Sequence, residues 1–174
     1  MDMHSISDTP LRRLEAIVRP SGYYRQKAKR LHDICSLIRR EYGGLDRLFM
    51  LDLGELREVL LSMNGIGEET ADSIVLYAAG KPTFVVDAYT RRAMHRIDPS
   101  ISDDISYGDL KRLFESGIKQ DLELYKDFHA QFVELGKNLC KKRNPLCAEC
   151  PLNTICKTGI SRAGLAPATK SCRY

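Results

Sequence analysis

A chain of 174 residues, 43% of them hydrophobic, can bury its own core without covalent staples and has room for one or two small domains. Its net charge of +4, from 27 Lys+Arg against 23 Asp+Glu, is too mild to imply nucleic acid by itself. The opening MDMHSISDTP lacks a basic-then-apolar signal pattern and no apolar run approaches membrane-spanning length, so a soluble, cytoplasmic protein with reduced thiols is expected.

In chain order, Arg19, Arg25, Lys27, Lys29, Arg30, Arg39 and Arg40 crowd the first segment, either as a solvated face or as a basic patch. From Tyr24 to Tyr42 the residues Ala28, Leu31, Ile34, Cys35 and Ile38 recur at helical spacing until Gly43-Gly44 stops the run, and Cys35 reads as a buried thiol. Further helices are expected from Leu53 to Ser62 and from Glu69 to Ala79, the latter ending before Gly80-Lys81-Pro82. Phe84-Val85-Val86 is apolar and extended or a buried turn. Asp87 then caps a helix over Ala88 to Ile97, Ser106 caps Tyr107 to Glu115, and the last long helix runs from Leu122 to Leu139. Nothing alternates with period two. The fold class is all-α, with one domain over residues 1–81, a second over 82–157 and a flexible tail over 158–174.

The chain has six cysteines, and Cys140, Cys147, Cys150 and Cys156 follow the spacing C-x6-C-x2-C-x5-C within one loop-rich stretch. Four thiolates so close together can hold one tetrahedral metal or one cubane cluster. Cys35 and Cys172 fall outside the spacing, which argues against a disulfide framework. Between the second and third long helices, Asn64-Gly65-Ile66-Gly67 reverses the chain. Two glycines one residue apart permit φ > 0 and bare backbone close to a partner, with Ile66 tucked inward. The turn is either an ordinary αα-hairpin or a phosphate-holding helix-hairpin-helix. Glu68 and Glu69 beside it place negative charge near that site. Eighteen positions after Glu69 comes Asp87, an N-cap whose carboxylate, partly buried, can also serve as a base or stabilise a developing cation.

Hairpin, aspartate and four cysteines in this order resemble the endonuclease III superfamily of helix-hairpin-helix DNA glycosylases, from about Leu11 to Lys157. The resemblance implies two helical domains, base excision on double-stranded DNA with a flipped damaged base, a location beside the nucleoid, and a [4Fe–4S] cluster on Cys140, Cys147, Cys150 and Cys156. It makes Asp87 the catalytic aspartate. It sets Asn64, Gly65, Ile66 and Gly67 against a phosphate through a bound monovalent cation, and lays Lys141, Lys142 and Arg143 on the DNA backbone. Strand-cutting members carry a Schiff-base lysine where this chain has Glu69, and a carboxylate forms no imine, so a monofunctional enzyme is implied with Glu69 still at the catalytic position. The Gly-Ile-Gly-x-Glu-x-Ala-Asp stretch, the run Val18 to Leu31, and Leu124-Tyr125 with Phe128-His129 resemble the 3-methyladenine DNA glycosylase III subgroup, pointing to alkylated purines.

Lys137 is a further catalytic candidate, on the helix leading into Cys140, although an exposed lysine on a polar face is the simpler reading. His129 reads as a satisfied interior histidine, and Tyr23 and Tyr24 either pack under the hairpin, the favoured reading, or face DNA. Family members begin with several more helices, so the chain reads as truncated at its N-terminus, a monomer that could associate through apolar faces of Leu31, Ile34 and Leu60. The alternative from another class is a DNA-binding module without catalysis. A zinc site on an unrelated helical protein is the third.

Overall fold

The starts of the helices at Met3, Leu53, Ala88, Tyr107 and Leu122 are legible in their capping side chains. The computed structural model describes residues 2–163, so Cys172 lies outside the described residues, and every regular element among them is helical. None of these helices is long and apolar enough to cross a membrane. The chain forms two compact units that part between Val75 and Leu76.

In the first unit, α1 (Met3–Asp8) and α2 (Leu11–Val18) pack on α3 (Tyr24–Tyr42), burying Met3, Leu14, Ala28, Cys35 and Ile38. Gly43, at φ +72°, ends α3 by donating its N–H to the Arg39 carbonyl at 3.0 Å. Then come α4 (Leu45–Met50), α5 (Leu53–Ser62), started by Asp52 accepting from the Glu55 N–H at 2.8 Å, and α6 (Glu68–Ser73). The second unit contains α7 (Ala88–Ile97), α8 (Tyr107–Gly117), α9 (Leu122–Asn138) and α10 (Lys157–Ala163). The cap oxygens of Asp87, Ser106 and Asp121 accept from the N–H groups of Thr90, Asp109 and Leu124. Its core holds Leu76, Phe84, Val85, Val86, Leu110, Phe114, Tyr125 and Phe132, with Phe84 stacked on Phe114 at 4.0 Å. A methyl group at Gly136 would sit 2.3 Å from the Tyr89 ring, so glycine is what lets α9 approach α7 this closely.

Several expectations need correction. The third long helix is broken: α6 ends at Ser73 and Ile74–Ala78 widens into a π-turn. Helices α1, α2 and α4 were not anticipated, because six- to eight-residue helices carry too few turns for a periodicity to show. The two compact units part at Val75–Leu76, and Leu76 belongs to the second unit's core. The segment expected as tail starts as a helix, tied down where Lys157 Nζ meets Asp98 at 2.6 Å. Leu60 of α5 is buried, and Leu31 and Ile34 are half-buried on α3, against which α1 and α2 pack.

Candidate active site and thiol pocket

Asp87 follows the buried run Thr83 to Val86, which fixes its backbone, and it opens α7. Its Oδ1 accepts from the Thr90 N–H at 2.7 Å and from the Thr90 hydroxyl at 2.9 Å. Its Oδ2 lies 3.7 Å from His129 Nε2 of α9. The residue is only 8% exposed. Burial alone pushes a carboxylate pKa up, but contacts from His129 and the N–H and hydroxyl of Thr90 outweigh it and hold Asp87 below the ordinary carboxylate range. The α7 dipole favours the same anion. A buried carboxylate is thereby kept ionised with one oxygen tied to its cap and the other facing an imidazole. On its other side the imidazole meets Tyr77, with 2.6 Å between Nδ1 and the phenol oxygen.

The hairpin is built within the first unit. Gly65 alone takes a positive φ, +93°, while Gly67 is extended at φ −94° and caps α6. The expectation of two left-handed glycines is therefore half right. Ile66 is buried beneath it, and Asn64, Gly65 and Gly67 are exposed. A Cβ at Gly65 would fall 2.6 Å from Arg30 Cδ, so the α3 arginine lies directly along the hairpin. Asp72, fully buried, receives Arg57 Nε at 2.8 Å and Nη2 at 3.2 Å, a bidentate tie between the helices flanking the turn. Glu69 is exposed in the first turn of α6, where its carbonyl accepts from the Ser73 hydroxyl at 2.7 Å. In the basic segment, Lys29, Arg39 and Arg40 pair with Asp33, Asp8 and Glu41, whereas Arg19, Arg25 and Arg30 make no ion pair among the described residues.

Cys140, Cys147, Cys150 and Cys156 line one pocket, walled by Leu139, Pro145 and Leu146. Among the described residues no three His, Cys, Asp or Glu side chains converge on a point that one metal ion could fill. A cubane makes a different demand, since each thiolate binds its own iron and the sulfurs stand around the cluster. The donor set fits that group. Arg96 Nη1 donates to Cys140 Sγ at 3.2 Å and the Gly159 N–H to Cys156 Sγ at 3.3 Å, both suited to thiolates. Burial pushes the Cys150 thiol up against an opposing backbone hydrogen bond from Leu152, and the three neighbouring thiols add to the rise. Arg92 and Arg96 of α7 hold the carbonyls of Gly136, Cys140, Lys141 and Lys142, so the helix opened by Asp87 also clamps this loop. Lys141, Lys142 and Arg143 are exposed along it.

The sequence pattern of the HhH-GPD superfamily of base excision DNA repair proteins matches residues 1–120. The chain belongs to that superfamily. A protein of Methanocaldococcus jannaschii, provisionally named a DNA repair glycosylase, is 42% identical over 146 residues, covering 83% of this chain and 66% of that protein. Endonuclease III of Bacillus subtilis is 30% identical over 153 residues, covering 88% and 65%. The chain thus spans just under two thirds of the length of either relative. Among solved structures, a non-covalent endonuclease III–DNA complex aligns with a TM-score of 0.78 at 28% identity, covering 94% of this chain and 72% of that one. The H. pylori 3-methyladenine DNA glycosylase bound to 1,N6-ethenoadenine aligns with a TM-score of 0.68 at 31% identity, covering 78% and 66%.

Of the residues expected at the site, Asp87 is buried at the start of α7, the four cysteines line one pocket, and Asn64, Gly65 and Gly67 of the hairpin are exposed. Lys137 is exposed near the end of α9 and makes no ion pair among the described residues; the group on that helix facing Asp87 is His129. Tyr77 was not singled out, and His129 was read as mere interior. Tyr23 also departs from expectation: it is 84% exposed in a left-handed conformation, φ +46°, at the cap of α3. Tyr24 does pack, half-buried with the Arg25 guanidinium 5.6 Å from its ring centre.

Proposed function

We propose that this protein is a monofunctional DNA N-glycosylase of base-excision repair. It hydrolyses the glycosidic bond of a damaged base flipped out of duplex DNA, with an alkylated purine such as 3-methyladenine as substrate. One observation carries the reading: an ionised carboxylate, Asp87, held in a buried setting at a helix N-terminus. There it stabilises the positive charge that develops on the sugar as the base departs. An alkylated purine is already cationic and leaves readily, so Asp87 has only to support the sugar while water attacks. Glu69 offers no amine, which supports release without strand cleavage. The hairpin Asn64–Gly67 holds a DNA phosphate with a monovalent cation, Arg30 lies beside it, and Lys141, Lys142 and Arg143 take the backbone. The four cysteines hold a [4Fe–4S] cluster, which orders this loop and supplies no chemistry to hydrolysis.

The test is base release from duplexes bearing 3-methyladenine, with borohydride present in a parallel reaction. Free base, an abasic product and no trapped protein–DNA adduct are expected. An adduct would assign a lyase. Duplex binding without release would leave the non-catalytic DNA-binding module.

Tyr23 gives a second prediction. A non-glycine residue with positive φ and an exposed ring is a local strain tolerated where a surface has work to do, and aromatic faces stack on unpaired bases. Tyr23→Ala is expected to weaken binding of lesion duplexes roughly 5- to 150-fold, from about 1–3 kcal/mol of lost stacking, with the melting temperature unchanged or raised. Unchanged affinity in a gel shift would remove Tyr23 from the DNA contact surface.

A further inference from the structure

His129 stands on the buried stripe of α9 formed by Tyr125, Phe132 and Gly136, an apolar line in which an imidazole needs partners. It has two. Nδ1 is 2.6 Å from the Tyr77 hydroxyl, reached across 52 positions of sequence, and Nε2 is 3.7 Å from Asp87 Oδ2. The Tyr77 and His129 rings lie 5.7 Å apart at 50°, so the contact is set by packing as well as by hydrogen bonding. Tyr77 sits on the π-turn, where the widened backbone places it off the regular register of α6.

The chemistry of the three groups orders their protons. An ionised Asp87 only accepts, so the nitrogen facing it has to carry hydrogen. A neutral imidazole with hydrogen on Nε2 has a bare Nδ1, which accepts the Tyr77 O–H. Tyr77 thereby fixes the tautomer and His129 presents an N–H to the one Asp87 oxygen that the helix cap does not hold. The 3.7 Å separation is beyond a full hydrogen bond, and a modest shift of Asp87 or His129 when substrate binds would close it.

We propose that Tyr77 and His129 are positioning residues for Asp87, forming a Tyr77–His129–Asp87 chain that aims the free carboxylate oxygen and keeps it ionised during base release. The proposal rests on Asp87 being the catalytic carboxylate. Among the described residues, several charged groups on the packed elements have other partners, and on α8 Lys111 donates to the Thr83 hydroxyl and pairs with Glu115. Arg91 donates to the Ile105 carbonyl, Arg92 to Gly136 and Cys140, and Lys157 of α10 pairs with Asp98. What faces Asp87 is His129 from α9, and Tyr77 from the π-turn behind it. With His129 gone, burial is less well opposed, and Asp87 takes up a proton at higher pH than in the native chain.

The test has a spectroscopic arm that needs no activity. Nitrogen-15 spectra of the imidazoles should show His129 as the Nε2–H tautomer in the native chain and a mixture in Tyr77→Phe; an Nδ1–H tautomer, or identical spectra, overturns the chain. In single-turnover base release, His129→Phe should lower the rate on the order of 100-fold, as expected for a misplaced catalytic group, and move the acid limb to higher pH. His129→Gln, which restores an N–H donor, should recover part of both. A uniform rate loss with the acid limb unmoved and no recovery by Gln would reduce His129 to packing. A native chain showing the tautomer but no base release would instead refute the glycosylase reading and leave the chain of contacts intact.

Discussion

Replacement of Asp87 by asparagine is expected to lower single-turnover base release by roughly 100- to 10,000-fold while the protein stays folded. The two effects separate because Asp87 caps α7 and, on the proposed function, also supplies the charge that supports the sugar. As the cap of α7 it accepts from Thr90, and asparagine is as good a cap as aspartate. As a charge it cannot be replaced by a neutral amide, which gives little support to a cationic sugar. Stability should differ mainly with pH. The folded pKa of Asp87 is depressed, so its charged form adds stability that is complete above the ordinary carboxylate range and lost as pH falls through the folded value. The asparagine variant lacks that contribution, so its melting temperature should fall less steeply on acidification. Base release at the native rate in Asp87→Asn would remove this residue from the chemistry. Loss of the helical circular-dichroism signal would show that charge, rather than cap, holds the α7 N-terminus.

The uneven legibility of this chain follows from where each signal is stored. The limits of α3, α5 and α7 were readable because their ends are written in the caps themselves: Gly43, Asp52 and Asp87 each make a bond across one turn. The cysteine spacing is local too, and all four residues line one pocket. The π-turn at Ile74–Ala78 was not readable, because its residues suit an ordinary helix and only packing widens it. Tyr77 and His129 meet across 52 positions, and helical periodicity says nothing about contacts at that range. One clue was available: His129 shares the stripe of Tyr125, Phe132 and Gly136, and a titratable group on an apolar stripe needs a partner. Asp72 is the converse case. It was read as part of a subgroup signature, and in the fold it anchors Arg57 across the hairpin.

Cys150→Ser should yield a colourless protein with little iron and a melting temperature lower by roughly 8–16 °C, if about 4 kcal/mol of cluster binding is invested in the fold. The native protein should be brown and hold about four irons per chain. The damage should also be selective. Asp87 opens α7, while Arg96, near the other end of this ten-residue helix, holds Cys140 and the carbonyls of Lys141 and Lys142. At 1.5 Å per residue those ends are about 15 Å apart, so an unravelled loop disturbs the basic residues before it disturbs the carboxylate. DNA affinity and its salt dependence should therefore fall more than the single-turnover rate at saturating duplex. Stoichiometric zinc in the native protein would replace the cluster with a mononuclear site. A variant that kept its DNA affinity but lost its rate would instead mean that the far end of α7 transmits the loop's order to Asp87.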